Sequence, residues 1–218
     1  MAHDNASSVA GLAIRLTRLT SSGAIAAGAS GSYVTKKFVS LGFTPEYETG
    51  DEFTTKAADG SVCATWKAPD TLKRVTLSIA ICDPDPEFTE MISGGGLLSS
   101  GGQSIGWSSP KVGIDATPNG VAIEVWSYAN VGGRAAATNP YWHWVFPYAQ
   151  MHSAGERAIQ NDMMAQSFEG WAVGNLGFGK GPAAPAWAFP TATDSPVSYA
   201  RTATIPTGTG YQTATITP

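Results

Sequence analysis

The stretch from Lys73 to Gly96 constrains the fold of this chain most, because it joins an alternating strand to a short, capped helix. Along Arg74–Cys82 every second side chain is apolar, and successive side chains of a strand point to opposite faces. The apolar face consists of Val75, Leu77, Ile79 and Ile81. The pattern predicts a strand with one face on a core.

Two Asp-Pro steps mark the start of the predicted helix. Asp83 or Asp85 can accept hydrogen bonds from the free amides of a first turn, and Pro84 and Pro86 are tolerated there because those amides have no helical partner. Gly94 can take the left-handed conformation that ends many helices. The apolar stripe, spaced i, i+3 and i+4, is Phe88, Met91 and Ile92. We expect one short helix, about residues 85–93, lying on a sheet.

The composition favours a β-rich protein that assembles. The chain has 218 residues and is 43% hydrophobic, enough for one full core. It has 25 glycines and 14 prolines but only 14% charged residues, a profile typical of many short strands joined by turns. Low surface charge also favours a surface that a partner covers.

The net charge of −4 and the pI near 5.3 argue against a nucleic-acid-binding surface, since such surfaces cluster Lys and Arg. No run of about 20 apolar residues could cross a membrane, and no export signal is recognisable, so we expect synthesis in a cytoplasm without membrane association. Cys63 and Cys82 are too few for a disulfide framework, and we expect both to be free and buried.

The chain is expected to contain three parts. Residues 1–13 form an N-terminal arm, and residues 14–175 form a mainly β domain, a β-sandwich or partial barrel. Residues 176–218 form an extension that is too short for a second sandwich of about 100 residues, with a possible β-hairpin at 199–216.

Turn signals divide the β domain further. Residues 51–66 are expected to form a long hairpin, because Asp59-Gly60 is a strong turn signal. The Gly- and Ser-rich residues 94–109 are expected to form a surface loop. Other extended segments are expected at residues 14–18, 35–49, 121–126, 141–148, 158–164 and 166–173.

No motif gives a convincing catalytic, metal or cofactor site. Ser104 lies in a G-x-S-x-G pattern, but the surrounding Gly/Ser run is not the strand-to-helix turn of a hydrolase. Residues 174–181 resemble a P-loop, but Gly181 stands where a magnesium-binding hydroxyl is required. The histidines are far apart in sequence: His3, His143 and His152. We therefore expect no enzymatic activity, no metal and no cofactor.

Seven tryptophans leave a carbohydrate-binding module open as an alternative, because such sandwiches expose aromatic rings that stack on sugars. Those expected in strands, where a core position is the default, are Trp126, Trp142, Trp144 and Trp171. Those expected in loops are Trp66, Trp107 and Trp187. A sugar platform would have to come from the second group.

Five stretches give the chain a family resemblance: Phe38–Trp66, Arg74–Gly95, Gly120–Tyr128, Tyr141–Pro147 and Asn161–Asn175. With the flanking helix, the long hairpin and the extended termini, the chain resembles the major tail (tail tube) proteins of long-tailed, non-contractile bacteriophages that infect actinobacteria. The resemblance covers about residues 14–175. Related tail proteins, such as terminators and distal-tail proteins, are built on similar folds and remain alternatives.

The resemblance implies a structural virion protein that forms stacked rings of six subunits, through which DNA passes without specific binding. Its partners would be further copies of itself and the tape-measure, terminator and baseplate proteins, with assembly in the host cytoplasm. The candidate inter-ring hairpin residues are Asp51, Phe53, Asp59, Gly60 and Trp66. The candidate carboxylates for an acidic lumen, which would repel DNA, are Glu46, Glu48, Glu124 and Glu169.

Overall fold

A computed structural model describes residues 5–155, 164–182, 185–189 and 194–216. The strands before the helix are β1 (Ser7–Arg18), β2 (Gly28–Thr35), β3 (Phe38–Glu48), β4 (Glu52–Lys56), β5 (Val62–Lys67) and β6 (Thr71–Ile81). The helix is α1 (Pro86–Ser93). The later strands are β7 (Gly96–Ser100), β8 (Gln103–Ser108), β9 (Val121–Val131), β10 (Arg134–Ala135), β11 (Tyr141–Ala154), β12 (Gln166–Val173), β13 (Ser198–Thr202) and β14 (Gly210–Ala214). A 3-10 turn covers Leu176–Phe178.

One large antiparallel sheet dominates the fold. Its strand order is β14-β2-β1-β9-β11-β12-β6-β3, with β10 added to β9 and β13 added to β11. Two further hairpins, β4–β5 and β7–β8, are separate from it. This arrangement confirms the predicted mainly β fold with one flanking helix.

The sheet curls around its apolar inner face. Phe43, on the last strand of the order, lies 5.5 Å from the Trp144 ring and 5.6 Å from the Phe146 ring, both on β11. The predicted apolar face of β6 is buried in this core. The other strands contribute Ile14, Leu16, Val121, Ile123, Phe146, Met151 and Phe168.

The helix α1 closes one end of this core and matches the prediction. The Asp85 carboxylate accepts a hydrogen bond from the Phe88 amide at 3.0 Å, and the helix ends at Gly94, which has φ 70°. The predicted stripe Phe88, Met91 and Ile92 is buried. The Tyr33 hydroxyl donates to the other Asp85 oxygen at 2.6 Å, which ties the helix cap to β2.

The N-terminal boundary differs from the prediction. β1 begins at Ser7, and residues Ser7–Val9 pair with Tyr128–Asn130 of β9, so the boundary expected at residue 13 lies inside a strand. The small polar residues at this end do not prevent strand formation, because β9 provides a partner along their whole length. Residues 1–4 lie outside the described residues.

The prediction of a surface loop at residues 94–109 is wrong. β7 and β8 form a hairpin there, with Gly101 and Gly102 at the turn, both with positive φ. Two consecutive positive-φ residues suit the tight turn whose twist matches that of paired strands, and glycine adopts them at little steric cost.

The prediction of a possible hairpin at residues 199–216 is also wrong, because β13 and β14 pair with different strands of the sheet. β12 pairs with β11 only from Tyr148 onward, and β13 pairs with the preceding part of β11, Tyr141–Val145. β14 pairs with β2 at the far end of the sheet. β13 and β14 therefore each pair with a strand edge that would otherwise be left without hydrogen-bond partners. The segment expected at 158–164 lies, apart from its last residue, outside the described residues.

Replacing Asp85 by Ala should destabilise the protein by about 1 kcal/mol, because the first turn of α1 loses its side-chain cap. Chemical denaturation, followed by tryptophan fluorescence, measures the change. Asp83→Ala is the matched control, since that exposed carboxylate lies 3.4 Å from the exposed Lys37 amine. Equal effects of the two changes would contradict the capping role.

Candidate functional site

The hairpin β4–β5 projects from the sheet as a continuation of the β3–β6 pair. At the junction the Gly50 amide donates to Asp70 at 3.1 Å, and the Ala68 amide donates to the Asp51 carbonyl at 2.9 Å. Every residue of both strands is exposed. At about 3.3 Å per residue, the nine steps from Gly50 to Asp59 span about 30 Å. The predicted hairpin is confirmed.

The hairpin tip is ordered by its own side chains. Asp59 accepts hydrogen bonds from the Ser61 hydroxyl at 2.6 Å and from the Ser61 amide at 2.9 Å. These hydrogen bonds lower the pKa of Asp59. Gly60 has φ 86°, a conformation that glycine adopts without strain. The tip is therefore a defined turn.

The two faces of the projecting hairpin differ in character. Phe53 and Trp66 are cross-strand partners, and their rings stack at 5.8 Å with an interplanar angle of 27°. Both side chains are 61% exposed. On the other face Glu52 lies opposite Lys67, and Thr54 is hydrogen-bonded to Thr65. An exposed aromatic pair on a projecting ribbon is typical of an interaction site.

The strand β3 forms an edge of the large sheet. It follows β6 at the end of the strand order, and most of its 11 residues are exposed. Val39 and Tyr47 are about 60% exposed, at 63% and 60%. Pro45 lacks an amide and is tolerated in a sheet mainly at such an edge. An open edge offers backbone groups to another strand.

Glu124 does not face a lumen, which corrects the prediction for this residue. It is fully buried, and its carboxylate accepts two hydrogen bonds from Arg15, at 2.6 Å and 2.8 Å. The His143 Nε2 atom lies 3.0 Å from Glu124 Oε1. Sequence alternation placed Glu124 on the mixed face of β9, but could not reveal that this face is covered.

The cover of this buried cluster comes from the C-terminal extension. Arg15 also donates to the Pro185 carbonyl at 2.7 Å, and Trp187 is only 4% exposed, with its ring against His143. His143 in turn stacks on Trp126 at 4.3 Å. Trp187 is therefore a buried side chain rather than the exposed loop residue expected.

The environment sets the charges in this cluster. Burial alone would raise the pKa of Glu124, but the charge of Arg15 and hydrogen bonds with His143 and Arg15 outweigh it and lower the pKa. Burial lowers the pKa of His143, and its hydrogen bond to Glu124 only partly opposes this. Glu124 is therefore ionised and His143 neutral at pH 7, with Nε2–H donating to the carboxylate.

The other three candidate lumen carboxylates remain at the surface. Glu48 and Glu169 are exposed, and Glu46 is partly exposed. A hydrogen bond from Arg74 and the charges of Arg74 and Lys73 lower the pKa of Glu46, so it is paired rather than free.

Glu46 and Glu169 share the uncovered half of the outer sheet face. Glu46 is the cross-strand partner of Arg74, and Glu169 is that of Ser78, and both partners lie on the same face of β6. A shallow groove of about 420 Å³ lies here, and its lining combines the polar side chains of Arg74, Ser78, His152 and Glu169 with apolar ones such as Trp171. This half-face is open, whereas the half over β1, β9 and β11 is covered.

Of the three tryptophans expected in loops, Trp66 remains a candidate platform, because it is 61% exposed, although it lies in β5. Trp107 lies in β8 and its indole nitrogen donates to the Gly94 carbonyl at 2.8 Å. Ser104 also lies in β8, within a hairpin rather than a strand-to-helix turn. Both cysteines are free, but Cys63 is exposed on the hairpin and Cys82 is partly exposed, which corrects the expectation that both are buried.

No model of a known protein family matches this chain, and no curated protein matches it either. The described residues include no helix that is long and apolar enough to cross a membrane. Within the same residues, no group of three or more His, Cys, Asp or Glu side chains could hold a metal ion.

Glu124→Gln should cost roughly 3–5 kcal/mol of stability, because it removes the carboxylate charge from a buried ion pair with Arg15. Denaturant unfolding measures the loss, and Glu46→Gln, in a surface pair, should change stability far less. The double change Arg15→Met with Glu124→Leu should recover most of the loss. A wild-type value for Glu124→Gln alone would contradict the buried-pair account.

Stability should also fall as the pH drops below about 6.5, the ordinary pKa of histidine. The folded protein holds the pKa of His143 below that of the unfolded chain, so the unfolded chain binds more protons in this range. The lowered pKa of Glu124 extends the loss below about pH 4.3. Melting temperatures across pH 4–8 measure the trend, and His143→Gln should flatten its upper part.

Proposed function

We propose that this chain is a structural subunit of a bacteriophage tail tube, which assembles itself into stacked, hexameric rings that conduct DNA. The observation that carries the proposal is the projecting β4–β5 hairpin, whose cross-strand Phe53 and Trp66 rings stack on each other and are both 61% exposed. A monomer gains nothing from such a ribbon, whereas a neighbouring subunit can bury it.

The energy available from this contact is substantial. Burying an aromatic side chain of this size contributes roughly 2–3 kcal/mol, and the contact recurs once for every subunit in a ring. A repeated contact of moderate strength is enough to hold a polymer at high subunit concentration. The hairpin therefore supports an inter-ring contact.

The open edge of β3 supports the contact within a ring. A strand of the neighbouring subunit can add to this edge, as in other cases of β-augmentation. Closing a barrel between subunits then removes every exposed edge.

The open polar half-face supports a lining for the channel. Glu48 and Glu169 are exposed carboxylates that would repel the DNA backbone, and the basic side chains near them are partly neutralised by Glu46. DNA would then pass without adhering. Glu124 has no part in this lining.

The proposed location is the virion tail, after assembly in the host cytoplasm, with the tape-measure, terminator and baseplate proteins as further partners. The family resemblance supports these partners. A terminator or distal-tail protein would use the same surfaces but would form a single ring instead of a stack.

Negative-stain electron microscopy of the concentrated chain tests the proposal. Hollow tubes or stacked rings are expected from the wild-type protein. The double change Phe53→Ser with Trp66→Ser should abolish stacking, while Thr54→Ala with Thr65→Ala, on the opposite face of the hairpin, should preserve it. Small monodisperse particles at all concentrations of wild-type protein would contradict the proposal.

A second candidate is a carbohydrate-binding module, favoured only by the stacked Phe53–Trp66 platform. Glycan-array binding that is lost in Trp66→Ala, together with unchanged monomeric mass, would favour this function over the tube. Absence of glycan binding by the wild-type chain would remove it.

A further inference from the structure

A second apolar feature lies at the other end of β3. A cleft of about 250 Å³ separates the first half of β3 from β1, β9 and β11. Its apolar lining comes from Phe38, Val39, Leu41, Phe43, Val125 and Trp144. Among the described residues that line it, three are serines, Ser8, Ser40 and Ser127, and none is charged. Val39 at its rim is 63% exposed.

The backbone of β1 is deformed where it forms the wall of this cleft. The pairing of β1 with β9 shifts register on both sides of Gly11, and the preceding Ala10 has φ 48°. A positive φ is costly for alanine, and such strain persists only where the surrounding structure enforces it. A side chain at Gly11 would lie 2.2 Å from the Phe38 ring, so glycine is required for Phe38 to reach the wall.

The cleft and the projecting hairpin lie at opposite ends of one ribbon. The cleft involves residues 38–43 of β3, whereas the hairpin leaves β3 after Glu48. A copy that inserts its hairpin into the cleft of another copy therefore leaves its own cleft and the other copy's hairpin free. Such a head-to-tail contact propagates instead of closing a dimer.

We infer that the cleft beside β3 is the receptor for the Phe53–Trp66 face of the hairpin of a second copy of this chain. The uncharged, apolar lining suits the uncharged aromatic face, and the polar face of the hairpin, with Glu52 and Lys67, stays in water. This inference rests on the proposed function and names the surface that receives the hairpin.

Two complementary variants test the inference. The donor variant, Phe53→Ser with Trp66→Ser, keeps an intact cleft; the acceptor variant, Val39→Asp, keeps an intact hairpin. All three positions are exposed, so folding should be unaffected. In analytical ultracentrifugation each variant alone should form only the species that assembles without the contact between hairpin and cleft. An equimolar mixture should form a species of twice that mass and nothing longer.

The control is Val112→Asp, at a fully exposed apolar residue outside both surfaces, and it should assemble like the wild type. Wild-type-like assembly of Val39→Asp would overturn the inference while leaving the proposed function intact. Failure of the two variants to complement each other would also overturn it, since the cleft would then receive a different segment. Failure of the wild-type chain to assemble would instead contradict the proposed function itself.

A covalent readout gives an independent test. Ala64→Cys places a thiol on the same face of the hairpin as Trp66, and Val39→Cys places a second thiol at the cleft rim. With Cys63→Ser and Cys82→Ser to remove the natural thiols, mild oxidation of assembled protein should give a ladder of linked chains on a non-reducing gel. A ladder should be absent in Val112→Cys, and its absence in Val39→Cys tubes would overturn the inference.

Discussion

The open edge of β3 is the constraint on which the rest of the structure depends. An antiparallel sheet leaves unpaired backbone groups at each end of its strand order, and these groups invite uncontrolled association. At one end the short β14 covers β2. At the other end β3 runs for 11 residues, restrained only by features such as Pro45 and the nearby carboxylates of Glu46 and Glu48. These features limit random pairing and leave the first half of β3 available to a specific partner.

The C-terminal extension decides which surfaces stay free. It covers the outer face over β1, β9 and β11, where Arg15, Glu124 and His143 form a buried polar cluster. Such a cluster contributes little net stability compared with an apolar core, but removing one member is costly, so it fixes one position for the covering segment. With this half-face closed, the surfaces left for contacts are the polar half-face, the β3 edge and the hairpin.

The sequence predicted the parts of the fold that depend on local rules. Three predictions depended on interactions within a few residues: the alternation in β6, the Asp59-Gly60 turn and a helix cap at Asp83 or Asp85. The first two are correct, and the structure selects Asp85 as the cap. The prediction failed where distant segments decide. Glu124 and Trp187 are buried because the segment around Pro185, about 170 residues from Arg15 along the chain, packs over the sheet. The placement of β13 depends on the length of β12, which pairs with only the later part of β11. The β7–β8 hairpin was predictable, because a Gly-Gly pair such as Gly101-Gly102 is itself a turn signal.

Hydrogen–deuterium exchange of the intact chain, measured by mass spectrometry at low and at high protein concentration, tests the central claim most directly. If β3 and the β4–β5 hairpin are the assembly surfaces, peptides from residues 38–67 should exchange more slowly in the concentrated sample. Peptides from β9, buried in the sheet of the single chain, should not change. Exchange in residues 38–67 that is independent of concentration, or new protection confined to residues 194–216, would contradict the account.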